Sequence, residues 1–203
     1  MNKIIKNTII ITVITLIAGI LLGFVYEITK GPIAIAQENA KEKAYKQVFT
    51  NASKFQNYDD FDAAEASSML NDAGNKSTIN EVVIATDGSD DLGYVITVTN
   101  GDGYAGDIKF SVGIQKDGTV NGIAILSIGE TAGLGMKAKE PAFKDQFSDK
   151  KVEQFEVTKT GAAGDEQIDA LSGATITSRA MTNGVNAALL YFQNILGGGS
   201  TNE

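Results

Sequence analysis

The longest apolar run in the chain comes first. From Thr8 to Tyr26 about 19 residues carry no charge and are rich in Ile, Leu and Val; as a helix at 1.5 Å per residue they span about 28 Å, the thickness of a bilayer core. Lys3, Lys6 and the amino terminus precede this run, whereas Glu27 and Lys30 nearly cancel after it. The positive-inside bias therefore predicts a single-pass anchor with a cytoplasmic N-terminus and an extracytoplasmic main domain. A cleaved signal peptide is the competing reading, because Ala34-Ile35-Ala36 offers an A-x-A cleavage pattern. Against it, the run is longer than a typical signal core, and Thr8, Thr12, Thr15, Gly19 and Gly23 share one helical face. Gly19 and Gly23 form G-x-x-x-G, which allows close helix approach and is read as a docking stripe for membrane partners.

Gly31-Pro32 is expected to end this helix, and Glu38 to Phe49 resumes a helical period with Ala40, Ala44, Tyr45 and Val48 on one side. Residues 50–80 are polar, with a short helical candidate from Phe61 to Leu70. Strand patterns then dominate. Glu81–Thr86, Leu92–Thr99, Asp107–Ile114 and Thr119–Ser127 are β-branched or alternating runs separated by Asp87-Gly88, Asn100-Gly101 and Asp117-Gly118, which predicts an antiparallel meander. Phe155 to Lys159 is a further strand candidate. Met181, Val185, Ala188, Leu189, Phe192 and Ile195 recur at helical spacing, so a helix from about Ser178 packs an apolar face on the sheet. The expected class is α+β: a cytoplasmic N-terminus and transmembrane anchor (1–30), a helical lead-in (31–80), one sheet-and-helix domain (81–196) and a flexible tail (197–203).

Composition removes most familiar chemistry. The 203 residues contain no Cys and no His, so disulfides, thiolate or imidazole metal sites, a Cys nucleophile and a His base are excluded within the polypeptide. No metal site and no complete catalytic site is expected. Seventeen basic against 25 acidic residues give a net charge of -8, and Arg179 is the sole arginine, which argues against a nucleic-acid partner.

Two motifs have bland readings. Gly101, Gly103 and Gly106 spell G-x-G-x-x-G, but a strand rather than a helix follows, so a glycine-rich hairpin is the better account. Asp87 to Asp91 lacks the calcium-loop register and reads as a solvated turn. The stretch Asp169-Ala170-Leu171-Ser172-Gly173-Ala174-Thr175-Ile176-Thr177-Ser178 carries more. Ser172 and Gly173 suit a tight turn, and Thr177 or Ser178 suits a helix cap. A helix start presents unpaired N–H groups and partial positive charge, which favour a phosphate beside Thr175 by roughly 0.3–1 kcal/mol of dipole interaction in addition to hydrogen bonds. The Thr175 hydroxyl is not nucleophilic without a base, so covalent chemistry there must be activated by a carboxylate such as Asp169 or, more simply, by a separate enzyme. An independent hydrolase using Ser172 or Thr175 is disfavoured for the same reason.

Asp169-x-x-Ser172-Gly173-Ala174-Thr175 resembles the flavinylation motif of the FMN-binding domain family, found in the G-type component of Rnf electron-transport complexes and the C-type component of the sodium-pumping NADH:quinone reductase. Gly129-Glu130-Thr131-Ala132-Gly133-Leu134-Gly135-Met136 resembles the family's Glu-Thr-Pro-Gly-Leu-Gly segment. The family commonly has Pro where Ala132 stands and often a His near Ile128. The resemblance implies FMN attached covalently through its phosphate to Thr175 by an FAD-dependent FMN transferase. It further implies that Ser172, Gly173 and Ala174 shape the phosphate turn, that Thr177 and Ser178 donate hydrogen bonds, and that Asp169 positions the transferase or a metal during attachment. Glu130, Thr131, Gly133 and Leu134 would contact the ring, and Arg179 would offset phosphate charge. The implied role is a membrane-anchored electron-transfer subunit of an Rnf complex that couples ferredoxin oxidation and NAD reduction to Na+ or H+ movement. Its implied partners are the other membrane subunits, the transferase and the lipid bilayer. A C-type quinone reductase component and an extracellular module holding a noncovalent anionic ligand are the alternatives.

Overall fold

A computed structural model describes residues 2–88 and 90–197. Of the expected tail, residues 198–203 lie outside the described residues. The chain divides into two compact units, residues 1–42 and 43–203.

The first unit is helical. Helix α1 runs from Lys3 to Val48, its residues from Lys43 onward belonging to the second unit, and contains one segment long and apolar enough to cross a membrane, none of it buried. Thr8, Thr12, Thr15 and Thr29 return their hydroxyl protons to carbonyls three or four residues back, which satisfies them without water. The expected break at Gly31-Pro32 does not occur, because α1 is helical through both residues. Proline forfeits one backbone hydrogen bond and crowds the preceding turn at a cost of about 3 kcal/mol. Long helix-forming stretches on both sides outweigh that single interruption.

In the second unit the order is β1 (Lys54–Asn57), α2 (Ala63–Asp72), β2 (Thr78–Asp87), β3 (Asp90–Asn100), β4 (Ile108–Gln115) and β5 (Val120–Ile128). Next come a 3-10 turn (Gly135–Lys139), α3 (Pro141–Lys144), β6 (Glu156–Thr158), β7 (Gln167–Asp169) and α4 (Thr175–Tyr191). Strands β1 to β5 form one antiparallel sheet in sequence order, the expected meander with an extra edge strand in β1. The short pair β6–β7 is parallel. Neither β1 nor β7 is long enough to show a period, so sequence pattern could not find them.

The sheet has two covered faces. On one, Val82, Ile96, Val98, Phe110, Val112 and Ile114 meet Leu70 of α2 and Met181, Val185 and Leu189 of α4. On the other, Val83, Ala85, Val95 and Ala124 meet Ala44, Tyr45, Val48 and Phe49 at the end of α1. Alternation along the strands explains why neighbours such as Val95 and Ile96 serve opposite faces. Helix α4 lies close because Gly184 faces Phe110, whose ring would stand 2.5 Å from any Cβ at that position. Asp62 caps α2, accepting from the Ala64 and Glu65 N–H groups at 2.7 and 3.2 Å.

Candidate functional site

Both motif-bearing segments converge on one cleft of about 500 Å³. The loop after β5 contributes Glu130, Thr131, Leu134 and Gly135, and the start of α4 contributes Gly173, Ala174, Thr175, Ile176 and Thr177. Tyr104, from the β3–β4 hairpin loop, completes the lining. Gly133, Asp169, Ser172 and Ser178 do not line it.

Helix α4 begins at Thr175, three residues earlier than its apolar stripe suggests, and no side chain caps it. The expected cap by Thr177 or Ser178 is therefore corrected. Gly173, at φ 75°, reverses the chain, and the Ala174 N–H donates to the Leu171 carbonyl at 2.9 Å, so helical direction is already set at Thr175. Ser178 instead staples the turn from inside: its hydroxyl accepts from the Leu171 N–H at 2.9 Å and donates to the Ala174 carbonyl at 3.0 Å. Thr175 thus occupies the first helical position and is half-buried, with the N–H groups of the first turn beside it and without intrahelical partners.

Two buried side chains give the cleft its polar chemistry. Glu130 is 6% exposed, and its Oε1 accepts from the Ala105 N–H at 3.3 Å. Thr177 is 1% exposed, and its hydroxyl has no hydrogen-bond partner among the described residues. Gly135 sits between them: a Cβ there would stand 2.6 Å from Thr177 Oγ1 and 2.7 Å from Glu130 Oε2. Among the described residues no hydrogen bond joins the Thr175 hydroxyl to a base. Thr131 organises its own loop, its carbonyl accepting from the Leu134 and Met136 N–H groups, both at 3.2 Å.

The apolar chemistry is equally specific. In the second unit the large hydrophobic side chains left exposed, among the described residues, are Tyr104, Leu134 and Ile176, and all three line this cleft. Tyr104 and Ile176 escaped sequence reasoning; the signal for Tyr104 was its place inside the G-x-G-x-x-G loop. Ile128 packs in the core. Asp169 faces a separate polar hollow beside Gln146 and Lys150. The Gln146 amide grips its backbone there, accepting from the Asp169 N–H at 2.6 Å and donating to its carbonyl at 3.4 Å. Arg179 is exposed one turn along α4 from Thr175. Among the described residues no group of three or more acidic side chains is placed to hold a metal ion.

An exposed apolar rim, a helix start and a buried hydroxyl with nothing to bond fit a ligand with a flat ring and a phosphate, which is the makeup of FMN. Comparison with known proteins agrees. A family model described as FMN-binding domain matches residues 103–190, and one described as RnfG N-terminal region matches residues 1–48. The G-type component of the Na(+)-translocating ferredoxin:NAD(+) oxidoreductase complex of Acetobacterium woodii is 32% identical over 94% of this chain and 92% of its own. The proton-translocating counterpart from Clostridium ljungdahlii is 32% identical over 97% and 96%. The crystal structure of the C-type component of the Na(+)-translocating NADH-quinone reductase from Parabacteroides distasonis shares the fold, with a TM-score of 0.50, 22% identity and 70% of each chain covered. Full-length similarity to these relatives, together with both matched regions, makes this chain a member of the RnfG family, the G-type components of Rnf complexes.

Proposed function

We propose that this chain is the membrane-anchored electron-transfer subunit of an ion-translocating ferredoxin:NAD(+) oxidoreductase complex, with FMN esterified through its phosphate to Thr175 Oγ1. The observation that carries the reading is the coincidence at one place of Thr175 in the first turn of α4 with the exposed apolar side chains of the domain. The FMN, when bound, supplies the electron transfer. What this chain supplies is grip and orientation. First-turn N–H groups and the helix dipole hold the phosphate charge, and the Thr177 hydroxyl offers a donor inside the cleft. Leu134 and Ile176 give the ring an apolar surface, while Ser172, Gly173 and Ala174 shape the turn that sets Thr175 in place.

Attachment exchanges one phosphate bond for another. The Thr175 oxygen takes the FMN phosphorus of FAD, the pyrophosphate link breaks, and AMP departs. The hydroxyl proton passes to a base of the transferase, because Thr175 has none of its own. Asp169 is exposed and lines a separate hollow, which supports a role toward that enzyme rather than toward the ring. Once tethered, the cofactor cannot be lost, so an open cleft suffices and leaves the ring accessible to redox partners. Lys3 and Lys6 favour a cytoplasmic N-terminus, with the cleft outside among the other membrane subunits.

The test is in-gel flavin fluorescence after co-expression with a flavin transferase. Wild type should show a fluorescent band that survives SDS, and intact mass should rise by one FMN less one water. Thr175→Ala should lose both completely. A band that persists in the variant, or a bare wild type whose flavin leaves on denaturation, overturns the covalent assignment.

A further inference from the structure

The four other described tyrosines of the second unit all have aromatic neighbours: Tyr45 packs on Phe55, Tyr58 on Tyr94, and Tyr191 on Phe61. Among the described residues Tyr104 has no ring partner and no hydrogen bond, and it is 70% exposed. Its loop, however, meets Glu130 on both sides of it. The Ala105 N–H donates to the buried Glu130 carboxylate at 3.3 Å. Gly103 lies so close to the same group that a Cβ would stand 2.8 Å from Glu130 Oε1 and would also strike the Gly106 carbonyl. A loop packed on Glu130 therefore brings an aromatic ring without a ring partner, among the described residues, to the cleft that Thr175 lines.

We propose that Tyr104 is the aromatic plate against which the isoalloxazine ring tethered at Thr175 stacks, and that Glu130 is the positioning residue that holds its loop. This rests on the function proposed above. Aromatic rings gain from offset or edge contact at centroid separations of about 4.5–7 Å, and Tyr104 lacks any such contact among the described residues. The matched FMN-binding region also begins at Gly103, so this loop belongs to it. Glu130 lines the same cleft, and its carboxylate also reaches the loop through the Ala105 N–H.

A phenol stacked on a flavin quenches its fluorescence, which supplies the readout. The full-length, flavinylated chain in detergent is measured for emission per attached flavin, folded and then unfolded. Tyr104→Leu and Tyr104→Phe should brighten the folded protein severalfold and leave the unfolded brightness unchanged, whereas Tyr104→Trp should stay as dim as wild type. Glu130→Gln keeps an oxygen for the Ala105 N–H and should remain dim, and Glu130→Ala should brighten. Equal folded brightness in wild type, Tyr104→Leu and Tyr104→Phe overturns the proposal while covalent flavin remains established. A wild type without flavin overturns the functional reading and this one with it. If Tyr104→Leu fails to load, the contrast between Tyr104→Phe and Tyr104→Trp decides.

Discussion

Gly135 shows how much of the site depends on one missing methyl group. Its Cα faces a buried carboxylate and a buried hydroxyl that belong to segments 47 residues apart, Glu130 and Thr177. Gly135→Ala would drive a Cβ to 2.6 Å from one oxygen and 2.7 Å from the other, with Glu130 Cβ at 2.8 Å. Overpacking of this kind costs about 1–3 kcal/mol. We expect a lowered melting temperature together with reduced flavin loading, read by intact mass, since the β5 loop and the start of α4 can no longer close on each other. Loading equal to wild type would show that the cleft tolerates the separation. The importance of Gly135 was only half legible in the sequence: it stands in the Gly129–Met136 motif, but Thr177 as its neighbour is a fact of folding.

Elements with many periods were legible, and short ones were not. The four meander strands and the C-terminal helix announce themselves through alternation, β-branched runs or helical spacing sustained over six or more residues. The apolar stripe points to a later start for α4 because the inward residues of its first turn, Thr177 and Ser178, are polar, and the turn is fastened by the Ser178 hydroxyl rather than by apolar contact. The end of α1 depends on glycine in the sheet. Gly113 of β4 accepts Val48, whose Cβ would lie 2.7 Å from an added methyl, and the Val48 carbonyl accepts from the Asn121 amide at 2.9 Å. Gly113→Ala should destabilise the domain by about 1–3 kcal/mol, lowering Tm by roughly 2–12 °C in a calorimetric scan. An unchanged Tm would mean that Val48 yields without cost.

At the scale of the whole molecule, the absence of cysteine makes topology directly testable. Asn2→Cys and, separately, Ser68→Cys each introduce a single thiol, the second at an exposed position of α2. In intact cells a membrane-impermeant maleimide should label Ser68→Cys and spare Asn2→Cys until the membrane is opened. The reverse pattern overturns the orientation. The existence of an apolar stretch long enough to span and the α+β class are carried by local order along the chain, as are the proposed orientation and the proposed attachment at Thr175: charge beside an apolar run, alternation, and a short motif. The tertiary structure alone decided that Glu130 and Thr177 meet across Gly135, that Tyr104 reaches the same cleft, and that Asp169 does not. The physical reason is distance along the chain. Periodicity reports which face of an element is apolar, whereas which loops share a cleft is set by how the faces pack, and packing joins residues that no window of sequence contains together.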